Sequence, residues 1–332
     1  MKKNLENLSY QDLLNLKLMD LNLTIHDSLI EKRINKLYSD LERKGLEYKP
    51  HIWISDEWFT PDDIPGFAVP FYLLHPKLTR LEKKEMLEAE GEKESECIKI
   101  LRHETGHAIS HAYKLYNTSE WNRIFGKYNT NYPLWYIPNP SSKDFVVHLN
   151  AWYAQAHPVE DFAETFAVWL NHNIKWERKY AGWKALEKLN YVDNVMKRIK
   201  NKKPINCKKQ VYEPINKIKL TLKEYYERKK KFYSFEWPES YDLNLKKIFN
   251  GNGKLAIDLI RKKRRSIREK ISEGLDIPLY TIDQLLLNMM KRSRVLKLKY
   301  SGEPEEIEKK LLVTLTAQLS NYIHTGYYKI PL

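Results

Sequence analysis

One stretch, Leu101-Arg102-His103-Glu104-Thr105-Gly106-His107-Ala108-Ile109-Ser110-His111, limits what this chain can fold into more than any other. Ile98, Leu101, Thr105, Ala108, Ala112 and Leu115 recur at helical spacing, which predicts a helix with a face to bury. On that helix His103 and His107 stand one turn apart on a common face. Two imidazole nitrogens so placed can share a zinc ion, with Glu104 beside them to take a proton from water. The same spacing also occurs on surface helices whose histidines are simply solvated. A third ligand at a sensible distance decides between the two.

The best candidate lies in Ala156-His157-Pro158-Val159-Glu160-Asp161-Phe162-Ala163-Glu164-Thr165-Phe166-Ala167. Pro158 suits a first helical turn, where its missing N–H costs nothing, and acids are favourable near that end. Glu160 and Glu164 are four apart and share a face, while Phe162, Phe166 and Trp169 point elsewhere. Two carboxylates on one face of an apolar helix are costly unless something cationic meets them. The expected roles are Glu160 as the third metal ligand and Glu164 as hydrogen-bond partner of a ligating histidine. The plain alternative is an amphipathic helix whose acids face water. His157 could instead complete a three-histidine site, although its place ahead of the helix favours the rim. Asp161 points about 100° away from Glu160. His111 lies about 12 Å along the helix from His103, too far to share one ion with both other histidines. The longer pattern H-E-x-x-H-x-x-G-x-x-H fails, because Ser110 and Tyr113 stand where Gly and His would be.

At these residues the chain resembles a family of bacterial zinc-binding metallopeptidases. The matching segments are Gly66 to Pro76, Leu101 to Ala108, Trp152 to Pro158 and Glu160 to Leu170, extending through Tyr191-Val192-Asp193 and more weakly to the C-terminus. It is also similar to the wider, gluzincin-like class in which H-E-x-x-H is followed by a Glu-x-x-x-Asp/Glu helix, as in thermolysin and the lethal-factor peptidase. The resemblance implies a zincin-like core and zinc-dependent hydrolysis of peptide bonds. The lethal-factor peptidase has a Tyr seven residues before its ligand Glu, and Tyr153 occupies that offset. The resemblance therefore implies that Tyr153 supports the oxyanion, with His157 as the alternative donor.

Composition sets the frame. A chain of 332 residues with 42% hydrophobic content can bury a sizeable core, in more than one unit. No apolar run is long enough to span a membrane, and Met1-Lys2-Lys3-Asn4-Leu5-Glu6-Asn7 lacks the apolar core of a signal peptide. The expected location is cytoplasmic, and Cys97 and Cys207, outside any C-x-x-C pair, are expected to be buried thiols. Charge is uneven: residues 201–332 carry 29 Lys+Arg against 15 Asp+Glu, whereas residues 1–200 carry 28 of each. That shift predicts three parts: a helical arm over 1–48, a zincin-like metallopeptidase domain over 49–200 and a basic helical domain over 201–332. The run Arg261-Lys262-Lys263-Arg264-Arg265 reads first as a solvated helix face. It could also attract a polyanion such as nucleic acid. The rival reading is accordingly a non-catalytic, metal-containing binding or scaffold protein that holds an anionic polymer.

The predicted fold class is mainly α with a small β-sheet (an α+β, zincin-like core) plus a helical C-terminal region. Residues 1–45 read as helical, with a second helix from His26 to Lys44 stopped by Gly45. His51–Ser55 and Phe67–Leu74 read as strands, and Pro70 argues for an edge where a peptide substrate could add itself. Leu78–Ala89 is a charged helix, and the metal helix should begin near Glu92. Tyr128 to Ser142, with Tyr132, Trp135 and Tyr136, reads as a cleft wall or as a loop pinned by its aromatics. Further helices are expected over Lys217–Tyr233, Leu255–Glu273, Thr281–Arg292 and Glu303–Ile323.

Overall fold

The structure is a computed structural model and describes residues 5–133, 135–233, 241–325 and 330–331. Met1–Asn4, part of the segment read for a signal peptide, lies outside the described residues. By its internal contacts the chain divides into two units. The first comprises Met1–Lys84, Ala89–Glu224 and Ile330–Leu332; the second comprises Glu85–Glu88 and Tyr225–Lys329. The fold is mainly helical, and its described strands form only two-stranded sheets.

The helices up to Ile199 are α1 (Tyr10–Leu14), α2 (Leu29–Arg43), α3 (Pro76–Met86), α4 (Glu94–Tyr113), α5 (Ser119–Phe125), α6 (Pro158–Leu170), α7 (Trp176–Lys179) and α8 (Ala185–Ile199). The centre is α4, buried almost all round from Cys97 to Tyr113, as a helix through a core must be. Gly91, at φ +74°, turns the chain into it, and Lys114 ends it in the left-handed region. α6 is buried without a break from Glu160 to Leu170. The two helices touch where Gly106 meets Ala163: a Cβ at 106 would lie 2.7 Å from the Ala163 Cα. Only glycine permits that approach.

Buried ion pairs tie the neighbours on. From α4, Arg102 donates Nε and Nη2 to Oδ2 of Asp40 on α2, at 3.1 and 2.7 Å. From α8, Lys188 reaches Asp161 of α6 at 2.5 Å. Each charge is buried beside its partner, which offsets part of the cost of leaving water; at Asp161 burial still outweighs Lys188 and lifts the carboxyl to about 7. Gly45 follows α2 at φ +73°, the stop the sequence suggested, whereas the helix begins at Leu29 behind its cap Ser28 and not at His26.

The strands β1 (His51–Ser55) and β2 (Gly66–Pro70) pair in parallel, His51 opposite Gly66 and Ser55 opposite Pro70. Two expectations need correcting here. β2 ends at Pro70 and passes into a 3-10 turn over Phe71–Leu73 instead of continuing to Leu74. Nor is it an open edge: all five residues are buried, and the far side is met by Phe59, whose carbonyl accepts from Ala68 N–H at 2.9 Å. A short strand β3 (Trp135–Tyr136) pairs antiparallel with Ile330–Pro331.

The stretch after α8 runs back over the first unit. Trp53 Nε1 and Ser55 Oγ donate to the carbonyls of Tyr212 and Glu213 at 2.8 and 2.6 Å. Leu18 N–H and Leu222 N–H pair with the carbonyls of Leu220 and Leu16. That pairing keeps 218–221 extended, so helix α9 is Leu222–Phe232 and does not begin at Lys217. Cys97 is buried, but Cys207 in this stretch is exposed, against expectation.

The second unit holds α10 (Tyr241–Ile248), which the sequence reading missed, then α11 (Ala256–Leu275), α12 (Leu279–Val295) and α13 (Pro304–Thr325). Its core includes Ile260, Ile267, Ile271, Leu285, Leu286, Leu311 and Leu315. No described helix is long and apolar enough to cross a membrane.

Candidate metal centre

The site forms where the N-terminal half of α6 crosses α4. His103 Nε2, His107 Nε2 and Glu160 Oε2 meet as a triangle: 3.0 Å between the imidazoles, 3.0 Å from His103 to Glu160 and 3.2 Å from His107 to Glu160. Zinc bonds of about 2.0–2.1 Å in a tetrahedron put neighbouring ligand atoms roughly 3.3 Å apart. The three atoms therefore have the spacing of three corners around one ion. They are a group positioned to hold a metal.

The hydrogen bonds around the triangle say why a cation belongs there. Glu164, fully buried, accepts from His103 Nδ1–H at 2.8 Å and from Leu149 N–H at 2.9 Å. With its proton on Nδ1, neutral His103 turns a lone pair from Nε2 towards a carboxylate oxygen and a second ring nitrogen. Converging lone pairs repel unless a proton or a metal ion lies among them. Burial alone would lower the pKa of His103, but the two glutamates raise it well above the usual imidazole value. Burial likewise opposes ionisation of Glu160, yet the two histidines hold its pKa well below the usual carboxylate range. Glu104, Glu160 and Glu164 bring three buried carboxyl groups to one region, a concentration that a divalent ion offsets.

The remaining groups surround this core. Glu104 Oε2 accepts from the Thr60 hydroxyl at 2.8 Å. The Tyr153 ring lies against His103, centroids 5.5 Å apart. Ala151 and Trp152, immediately before it, both adopt left-handed backbone (φ 58° and 53°). Two consecutive non-glycine residues there cost about 1–2 kcal/mol each, a strain often stored where a side chain must be aimed. Burial pushes the Tyr153 phenol well up, so it stays a donor. Tyr132 donates to Glu160 Oε1 at 2.6 Å.

The geometry brings His103, His107, Glu104, Glu160, Glu164 and Tyr153 together and leaves His157 aside. The Nε2 of His157 meets the Thr130 carbonyl at 3.0 Å, and its Nδ1 caps α6 by accepting from Val159 N–H at 3.3 Å. Both ring nitrogens are occupied, so its expected place as an oxyanion donor gives way to a capping one. His111 is buried against Tyr116 and Tyr128 and takes no part. Sequence reading missed Thr60, Leu149 N–H and the Tyr132 contact. The first and last come from loops, and a backbone amide leaves no sequence signal.

Residues 79–222 match the family model described as "Putative zinc-binding metallo-peptidase". The matched segment contains both helices of the site, and it agrees with the resemblance carried by their motifs. The family is zinc-binding, and in this chain His103, His107 and Glu160 form the group placed to hold the ion. No curated protein and no solved structure matches the chain.

Proposed function

We propose that this protein is a zinc-dependent peptidase in which His103, His107 and Glu160 hold the metal, Glu104 is the general base and Tyr153 donates to the oxyanion. The supporting observation is the convergence of three ligand atoms within 3.2 Å of one another on two helices far apart in sequence. A zinc ion there supplies Lewis acidity, bringing the pKa of a water towards about 7 and polarising an amide carbonyl. Glu104 takes the proton of the attacking water and returns it to the leaving nitrogen. Thr60 fixes one carboxylate oxygen of Glu104 and limits its rotamers. Tyr153, held against His103, donates to the carbonyl oxygen as negative charge develops. Glu164 keeps the His103 proton on Nδ1, so Nε2 faces the metal.

The substrate is a peptide or another accessible amide. A cytoplasmic setting fits the two unpaired thiols, Cys97 and Cys207. The polyanion-binding alternative draws less support than the bare sequence gave it. Of the run Arg261–Arg265, four cations are already paired, with Asp258, Glu308, Asp283 and Glu269.

The test is a peptide-library screen of the zinc-loaded protein beside Glu104→Gln, with metal analysis of both. The expected result is cleavage by wild type only and equal zinc in both. Wild-type turnover by Glu104→Gln would remove Glu104 as the base, and absence of any zinc-dependent cleavage would remove the peptidase reading.

A further inference from the structure

The contact between Tyr132 and Glu160 is unaccounted for by the reaction just described. Tyr132 lies in the loop between α5 and α6, on neither ligand-bearing helix, and is 46% exposed. Its hydroxyl nevertheless donates to Oε1 of the buried Glu160 at 2.6 Å, the length of a charge-assisted bond to an ionised carboxylate. The other oxygen, Oε2, is the one that faces both histidines.

Tyr132 is itself held in place. Its ring packs on His157 with centroids 4.6 Å apart and planes 32° apart, and His157 is fixed through the Thr130 carbonyl and the α6 cap. The loop around it is tied further along, where the Tyr136 hydroxyl donates to the Ala151 carbonyl at 2.8 Å and Asn139 exchanges two bonds with Gln155. The phenol is thus aimed by packing on one side and pulled by the carboxylate on the other.

We infer that Tyr132 is a positioning residue for the metal centre, locking Glu160 as a one-oxygen ligand. An unrestrained carboxylate can turn both oxygens to a metal and fill a further coordination position. A donor fixed on Oε1 holds that oxygen away and leaves the remaining position for water and substrate. This inference rests on the proposed zinc site and goes beyond it by assigning a residue from outside both ligand helices.

The experiment compares Tyr132→Phe and Tyr153→Phe with wild type, using two readouts that need no substrate. One is the zinc dissociation constant by competition with a chromogenic chelator. The other is the visible spectrum of the Co2+-substituted protein, whose band intensity falls as coordination rises from four to five. Tyr132→Phe is expected to weaken zinc about 10-fold, the effect typical of losing a ligand's hydrogen-bond partner, and to lower the Co2+ bands. Tyr153→Phe, which does not touch the carboxylate, should leave zinc affinity within about two-fold. Unchanged affinity and an unchanged spectrum in Tyr132→Phe overturn the inference alone. Equal weakening by both variants also overturns it, since that would mean only a loosened loop. A wild-type protein that binds no zinc overturns both the inference and the proposed site.

Discussion

Gly106→Ala is the sharpest perturbation of the frame that carries the metal site. An ideal Cβ at 106 would lie 2.7 Å from the Ala163 Cα, 3.0 Å from its carbonyl oxygen and 3.2 Å from its Cβ. Carbon atoms pack at about 3.5–4.0 Å, so α4 and α6 must part by roughly 1 Å at the crossing. The obstructing atoms include backbone, and no flexible side chain can swing away to make room. Glu160 and Glu164 flank Ala163 on α6 and move with it. The 3.0 and 2.8 Å contacts to His103 then open towards about 4 Å, outside the tolerance of roughly 0.2 Å for a metal bond. Two stability effects oppose one another: overpacking costs about 1–3 kcal/mol, and Ala is favoured over Gly in a helix by about 1 kcal/mol. The net loss is roughly 0–2 kcal/mol, so the variant should fold. Zinc affinity should fall by at least about 100-fold, because a ligand and a ligand's partner are displaced together. Chelator competition measures the affinity and a thermal melt measures the fold. A variant that melts like wild type and binds zinc within about three-fold of it would refute the claim that this close approach sets the site.

Two more outcomes follow from the same frame. Removing zinc with a chelator should lower the melting temperature, since a ligand present at 100 times its dissociation constant contributes about 2.7 kcal/mol; equal melts with and without zinc would argue against a site formed only in the folded chain. Burial holds His111 down to about 4 from its ordinary 6.5. The unfolded chain therefore binds the extra proton first, and this contribution is whole above about pH 6.5 and lost as pH falls towards about 4, some 3 kcal/mol in all. His111→Phe should flatten the acid limb of the stability profile by that amount, and parallel profiles would remove His111 as its source.

The site was legible in the sequence wherever helix geometry alone fixes neighbours. His103 and His107 one turn apart, and Glu160 and Glu164 one turn apart, needed only the 3.6-residue period to be read as shared faces. Pro158 announced the start of α6. What could not be read depends on contacts between distant segments. Local pattern carried β2 past Pro70, but the chain turns there into a 3-10 element. Helical periodicity extended α9 back to Lys217, yet pairing with Leu16 and Leu18 draws 218–221 straight. His157 looked chemically available until Thr130 and Val159 took both its nitrogens. Tyr132 read as one aromatic among several in a loop, and only the fold brings it to Glu160.

X-ray absorption at the zinc edge tests the central claim most directly, on protein carrying one zinc per chain. The expected signal is a shell of nitrogen and oxygen only, at about 2.0–2.2 Å, with the outer scattering of two imidazoles, and no loss of that shell on replacing Cys207. A sulfur scatterer near 2.3 Å, or a shell that survives Glu160→Ala and His103→Ala unchanged, would mean that the metal sits elsewhere.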